Sequence, residues 1–362
     1  MPALRRVKGY FMAKSKYTNI GGQALLEGVM MRGSVHTAMA VRNMAGDVEI
    51  EMYPTVRSQR PAICKKPFIR GIFGLIDSLS IGYKCLMRSA DLSGMAAEEE
   101  AEKEARRAKK SKFALKAEDL LEKFMMPIAT VLAVVLAVLL FMYLPVQLYT
   151  WLSMAFPAIA QNYFLRSVFE GVIRIVIFLG YVMATALMKD IRRTYQYHGA
   201  EHKTIFCYEK GLPLTVENVR AQKRFHPRCG TSFLVLMLLV GIVVSMFIRV
   251  DNPFLRTGLK ILTFPILISI GYELIQYAGR HDSRLTRIIS APGVAIQHIT
   301  TREPDDGMIQ CAIESMLRVI PGAEGYPERE TRPRALVDAD TLAQTAPSAP
   351  ETAAAVENNA NA

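Results

Sequence analysis

Hydrophobic positions along the chain fall into long uninterrupted blocks. Residues 124–165 contain no Asp, Glu, Lys or Arg, and three further apolar runs follow. Four spans are predicted, at 125–144, 168–188, 231–248 and 258–278. Each has about 18 to 21 residues, which at about 1.5 Å of rise per residue covers a hydrocarbon core of about 30 Å. The first is predicted to stop at Pro145. The stretch beyond it, with Tyr149, Trp151, Phe156, Pro157 and Tyr163, reads as interfacial or re-entrant. The pattern predicts an α-helical integral membrane protein with about four transmembrane helices, whose first partner is the lipid bilayer.

Outside these blocks the periodicity changes. After an N-terminal tail (1–16), residues 17–60 hold a Gly-rich block and two short runs of strand character, 37–42 and 48–53, flanking Asn43 to Asp47. A hairpin in a small α+β region follows from that spacing. The Gly-rich stretch itself reads equally as a tight turn or as a loop that lets a ligand approach the backbone. Residues 67–92 repeat apolar side chains at helical spacing, predicting an amphipathic helix on the membrane or against the hairpin. A charged, solvated helix is predicted at 96–123, ahead of the first two spans within 124–188. A loop at 189–230, the last two spans within 231–279 and two helices within 285–321 come next. The tail 327–362 is rich in Ala, Thr, Pro, Glu and Asn, and is predicted to be disordered.

Charge then orients the spans. The 189–230 loop carries nine Lys and Arg, against three (Arg166, Arg249, Arg256) in the two opposite connections. Basic residues stay on the cytoplasmic side, so both termini and this loop are predicted to be cytoplasmic. The same basic loops beside anionic head groups account for most of the formal charge of +11, and no nucleic-acid partner is expected. The five cysteines then lie in a reducing compartment, where thiol or metal chemistry is open and disulfides are not expected. Residues 1–17 are basic without a following apolar core, so no cleavable signal peptide is expected.

Candidate chemistry concentrates in that loop. Of the six His and five Cys in the chain, His198, His202, Cys207, His226 and Cys229 lie within 41 residues. His198 to His202 reads H-x-x-E-H and His226 to Cys229 reads H-x-x-C, both spacings suited to zinc. Residues 191, 195, 198, 202, 205 and 209 recur at steps of three and four, placing both histidines on one helical face, with Gly211 available to end the helix. His198, His202, His226 and Cys229 form the predicted metal set, and Glu201 is the candidate general base. Four protein ligands would make a closed structural site, and three would leave room for catalysis. The alternative is a pair of hydrogen-bonded histidines with Cys229 as a small apolar filler. Glu273 is a rival ligand, but it lies well inside the predicted fourth span. Glu170, Arg174 and Lys260 also fall inside spans, where an ion-paired cluster is the plain reading and an ion or substrate pathway the functional one.

The blocks GGQALLEGVMMRG (21–33), YHGAEHKTIFCYE (197–209), HPRCGTSFL (226–234) and APGVAIQHITTREPDDGMIQCAI (291–313) resemble the signature blocks of the YqhQ-like family. These are bacterial membrane proteins of unknown function described as predicted metal-dependent enzymes. The resemblance implies a bacterial inner-membrane protein. It draws attention to Gln23, Glu27, Arg32, Thr300, Thr301, Glu303, Pro304 and Asp305. From the residues, Asp305 or Asp306 is predicted to cap a helix with an apolar stripe from Met308 to Ile320. Together these features favour a metal-dependent enzyme, a hydrolase at the cytoplasmic membrane face, with a divalent metal, zinc by ligand type. A membrane scaffold with a structural metal that docks a cytoplasmic protein is the alternative, and a transporter ranks third.

Overall fold

A computed structural model of the chain describes residues 18, 20–55, 61–107, 127–281, 283–320 and 326–333. It is mostly helical, with one antiparallel sheet. The sheet runs β1 (Gly21–Leu25), β2 (Gly28–Arg32), β3 (His36–Arg42), β4 (Val48–Pro54) and β5 (Arg329–Arg332), in that spatial order. The predicted hairpin is β3–β4, pairing Arg42 with Val48 and Thr37 with Tyr53, and Gly46 at φ 89° makes its turn. The Gly-rich block is more than a turn. It forms a second hairpin, β1–β2, turned at Leu26 and Glu27, with Glu27 at φ 52°.

Strand side chains alternate between two buried clusters, as a pleat of period two requires. Val29, Met31, Ala38, Ala40 and Ile50 face one side, and Met30, Met39 and Val41 the other. The second face is covered by α1 (Ile69–Leu92) through Cys85. The first is covered by α5 (Lys189–Glu209) and α11 (Asp306–Leu317) through Tyr197, Ala200, Met308, Ile309, Ala312 and Met316. Full burial of each large apolar side chain contributes about 1.5 to 3 kcal/mol. The Ser315 hydroxyl pins α11 to the sheet, accepting from Met31 N at 2.9 Å and donating to Ala38 O at 2.8 Å.

Two sequence expectations change here. The tail was predicted to lack structure from 327, yet β5 pairs with the otherwise open edge of β4, and Arg332 bridges to Glu314 at 2.6 Å. Residues 334–362 lie outside the described residues. The stripe predicted for α1 faces outward in part, with Ile76, Leu79, Tyr83 and Met87 exposed, while the buried face carries Gly71, Gly82, Cys85 and Ser89. The charged helix is described as α2 (Met95–Arg107), and its continuation to 123, like the N-terminal tail 1–16, lies outside the described residues.

The apolar blocks give α3 (Pro127–Ala155), α4 (Tyr163–Thr185) and, after the short α6 (Val216–Arg220) of the intervening loop, α7 (Gly230–Ser245), α8 (Pro253–Leu262) and α9 (Phe264–Arg280). By length and composition two of these, α3 and α4, can cross a membrane, and a third if Pro253–Leu262 and Phe264–Ala278, bent by 46°, act as one span. The four-span expectation is therefore too regular. Pro265 follows the bend directly, and α7 has 16 residues. Pro145 does not end the first helix either. A π-helical segment at Leu139–Tyr143 precedes it, and the Phe141 carbonyl, four residues before a proline with no N–H to offer, accepts instead from Arg174 Nε at 2.8 Å.

Candidate functional site

Helix α4 stops at Thr185, and α5 begins afresh at Lys189 after an extended Met188 (ψ 134°). The chain therefore leaves the apolar bundle and crosses the sheet as a helix, the form that the spacing of 191–209 predicts, with Gly211 at φ 68° beyond its end. Arg284–Thr300 forms α10, whose C-terminus meets α5 near His198. Asp305 caps α11 as expected, accepting from Met308 N at 2.8 Å.

His198, His202 and Cys229 come together, their ligand-capable atoms all within 4.8 Å of one another. Cys229 arrives as the N-cap of α7, where its sulfur accepts from Thr231 N. Both rings are held by their far sides. Nδ1 of His198 donates to Thr300 O at 2.8 Å, and Nδ1 of His202 to Arg224 O at 2.5 Å, because a carbonyl can only accept. In each neutral ring this puts the proton on Nδ1 and leaves Nε2 as an acceptor. Nε2 of His198 stands 3.1 Å from the sulfur, while the buried Nε2 of His202 makes no hydrogen bond. Metal-binding histidines are oriented in the same way.

Electrostatics sharpen the picture. Burial holds His202 below its ordinary value and thus neutral. For Cys229 burial pulls upward, but the neighbouring His202 and the Thr231 hydroxyl and amide outweigh it, so its pKa lies below the ordinary cysteine value. Glu201 is buried beside them. Its carboxyl is pushed up to about 8, chiefly by burial and further by Cys229, against the opposing pull of His198 and the Gly22 N–H. Gly22 explains part of the Gly-rich block, since a Cβ there would sit 2.8 Å from Glu201 Cγ. Gly199 has the same role on the other side, where a Cβ would overlap the Arg302 carbonyl oxygen.

His226 lies outside the trio. Its ring stands 5.6 Å from that of His202, its Nδ1 accepts from Arg228 N, and its Nε2 faces Glu209 at 3.6 Å. Burial lowers the pKa of His226. Glu209 is raised by burial but lowered more by His226, Arg228 and the Thr18 N–H, so it stays a carboxylate. The H-x-x-C pair is thus divided between a loop brace and the site.

The other singled-out residues are dispersed. Glu273 pairs with Arg70 at the start of α1, at 2.5 Å. Glu27 receives Arg193 and, at 3.2 Å, the Tyr197 hydroxyl. Gln23 packs on Gly82, and Arg32 reaches Ser78 at 3.3 Å. Glu303 is exposed and receives Lys203 at 2.6 Å. The sequence reading missed Gln297, which is fully buried and binds both the N–H and the carbonyl of His226, each at 2.7 Å, together with Ser232. Its place inside the 291–313 block was the one signal available.

A model of the family described as "Protein of unknown function (DUF1385)" matches residues 66–321, which contain the whole trio. The chain belongs to this family. A relative from Bacillus subtilis (strain 168), "Uncharacterized protein YqhQ", is 31% identical over 315 residues, covering 86% of this chain and 95% of that one. No solved structure matches. This DUF1385 membership agrees with the resemblance read from the four sequence blocks and brings no activity with it.

Proposed function

We propose that this protein is a metal-dependent membrane enzyme, a hydrolase working at the cytoplasmic face of the bacterial inner membrane. The observation that carries the reading is the double clamp. Two imidazoles fixed through Nδ1 to backbone carbonyls meet one cysteine sulfur, with the ligand-capable atoms of all three within 4.8 Å of one another. Two nitrogens and a thiolate suit zinc, and a three-residue set leaves a coordination position for catalysis. A bound zinc ion would supply Lewis acidity there. Glu201 is the group that accepts and returns a proton. Its raised pKa suits general acid–base work near neutrality, and no Lys or Arg ion pair engages it among the described residues. Apolar helices of spanning length support the membrane assignment, and the nine-to-three bias of basic residues supports the cytoplasmic orientation.

A structural metal on a docking scaffold uses the same trio, so the test separates occupancy from turnover. Protein purified without chelators should carry about one zinc per chain. His202→Ala and Cys229→Ala should each lower zinc affinity at least tenfold, with His226→Ala having a smaller effect. Glu201→Gln should keep the zinc and fail to complement a deletion strain. Metal-free protein that does not bind added zinc would refute the site, and full complementation by Glu201→Gln would refute the enzyme.

A further inference from the structure

A second cluster lies at the opposite end of the helical bundle. Helix α4 presents Arg166, Glu170 and Arg174 on successive turns, and α8 presents Arg256 and Lys260 one turn apart, all five buried. Glu170 is the hub. It accepts from Arg166 at 3.1 Å, from Arg256 at 3.0 Å and from Lys260. Arg166 also reaches Asp251 at 3.2 Å, on the exposed rim. Four cations thus face two carboxylates, leaving two positive charges over within the helical bundle.

The spare donors can be named. Arg174 is anchored through Nε to the Phe141 carbonyl that Pro145 leaves free, and its buried Nη2 has no hydrogen-bond partner. The buried Thr257 hydroxyl, three residues before Lys260 on α8, also has none. Arg174 stands within electrostatic range of Glu170, Arg256 and Lys260. Phe141 lies in the π-helical segment, a feature found often at functional sites. Buried charges inside apolar spans are retained when something pairs them.

We propose that this cluster is a phosphate-binding site, with Arg174, Lys260 and Thr257 as its donors. A tetrahedral oxyanion offers acceptors in several directions, matching a guanidinium, an ammonium and a hydroxyl, and its charge cancels the excess. The same group is presented by a membrane phospholipid or by free phosphate. The apolar surroundings favour the lipid, whose tails share the solvent of the spans.

The test uses the full chain in nanodiscs, with phosphatidylglycerol as one probe and inorganic phosphate in detergent as the other. Native mass spectrometry should find phosphatidylglycerol retained through delipidation, and Arg174→Met and Lys260→Met should each weaken retention at least tenfold. A thermal shift with inorganic phosphate, absent with chloride at equal ionic strength, would assign the site to the free anion instead. Glu170→Gln removes the competing carboxylate and should tighten binding of whichever probe binds, an effect that a purely structural ion-pair hub would not give. Wild-type protein that binds neither probe, or a folded Arg174→Met that binds like wild type, overturns the proposal.

Discussion

Replacing Gly199 with alanine adds one methyl group where α5 crosses the 300–304 segment, inside the 3.0 Å below which real Cβ contacts are not found. The obstacle is the backbone oxygen of Arg302, which cannot swing away as a side-chain tip could. Three hydrogen bonds hold that segment to α5: Arg302 N to Tyr195 O at 2.8 Å, Gln196 Nε2 to Glu303 O at 3.2 Å, and His198 Nδ1 to Thr300 O at 2.8 Å. Each contributes about 0.5 to 1.5 kcal/mol net, and overpacking costs about 1 to 3 kcal/mol. The helix itself gains about 1 kcal/mol from losing a glycine. The balance is a loss of about 2 to 3 kcal/mol, read as a fall in Tm of about 5 °C. Because the displaced segment carries the carbonyl that orients His198, zinc affinity should fall about 10- to 100-fold alongside. Gly180→Ala is the control, since that helical glycine has nothing within 4 Å, and it should melt at or above wild type. A Gly199→Ala protein that melts like wild type with unchanged zinc affinity would refute the crossing as the source of the site's geometry.

Glu201→Gln should also change the pH dependence of the metal-free protein. A carboxyl raised from 4.5 to about 8 contributes stability that is complete below pH 4.5 and gone above about pH 8, at most about 5 kcal/mol at 1.36 kcal/mol per unit. Chemical denaturation from pH 5 to 8.5 should show wild type losing more stability than the variant, and parallel curves would sink the assignment. Cys207 and Cys311 are fully buried with thiols pushed up to about 12, mainly by burial, so a maleimide should leave both unmodified in native protein. Cys64 is partly exposed and should be labelled from the cytoplasmic side alone, and labelling from outside intact cells would reverse the proposed orientation. Ending the chain before Tyr326 removes β5 and the Glu330 partner of the buried Arg318, bonded at 2.5 Å. Loss of one partner from a buried pair costs about 3 to 5 kcal/mol, eased here because Glu314 still bridges Arg318, and an unchanged Tm would show that β5 is dispensable.

What the sequence made legible was local. The α5 period and the Asp305 cap each depend on residues a turn or two apart, and both appear in the fold. The β1–β2 hairpin was hidden because glycines at 21, 22 and 28 speak for a turn when neighbours are unknown, whereas β3 supplies the partner that makes β2 a strand. The span count of two to three departs from four for local reasons: α7 has only 16 residues, Pro265 sits at a 46° bend in the last run, and Pro145 is absorbed by a π-helical segment and an arginine from another helix, so that the first helix runs on to Ala155. His226 stands apart from the trio for a related reason. Its spacing to Cys229 suits a metal, but Gln297, 71 residues away, fixes its backbone, and Glu209 and Arg228 engage its ring.

The motif H-x-x-E-H therefore states only the side chains of this site, and its geometry comes from backbone groups that no motif records. The carbonyls of Thr300 and Arg224 choose the tautomer of each histidine, the amide of Gly22 reaches Glu201, and two glycines admit the segments that carry these groups. Three parts of the chain far apart in sequence, near 22, 224 and 300, must dock on α5 before both rings are oriented. In the unfolded chain each ring exchanges between two tautomers and many rotamers, so the trio exists only as a product of the fold. Zinc binding should for that reason stabilise the whole layer of sheet, α5 and α10, by RT ln(1 + [Zn]/Kd), and its removal should loosen that layer as a unit.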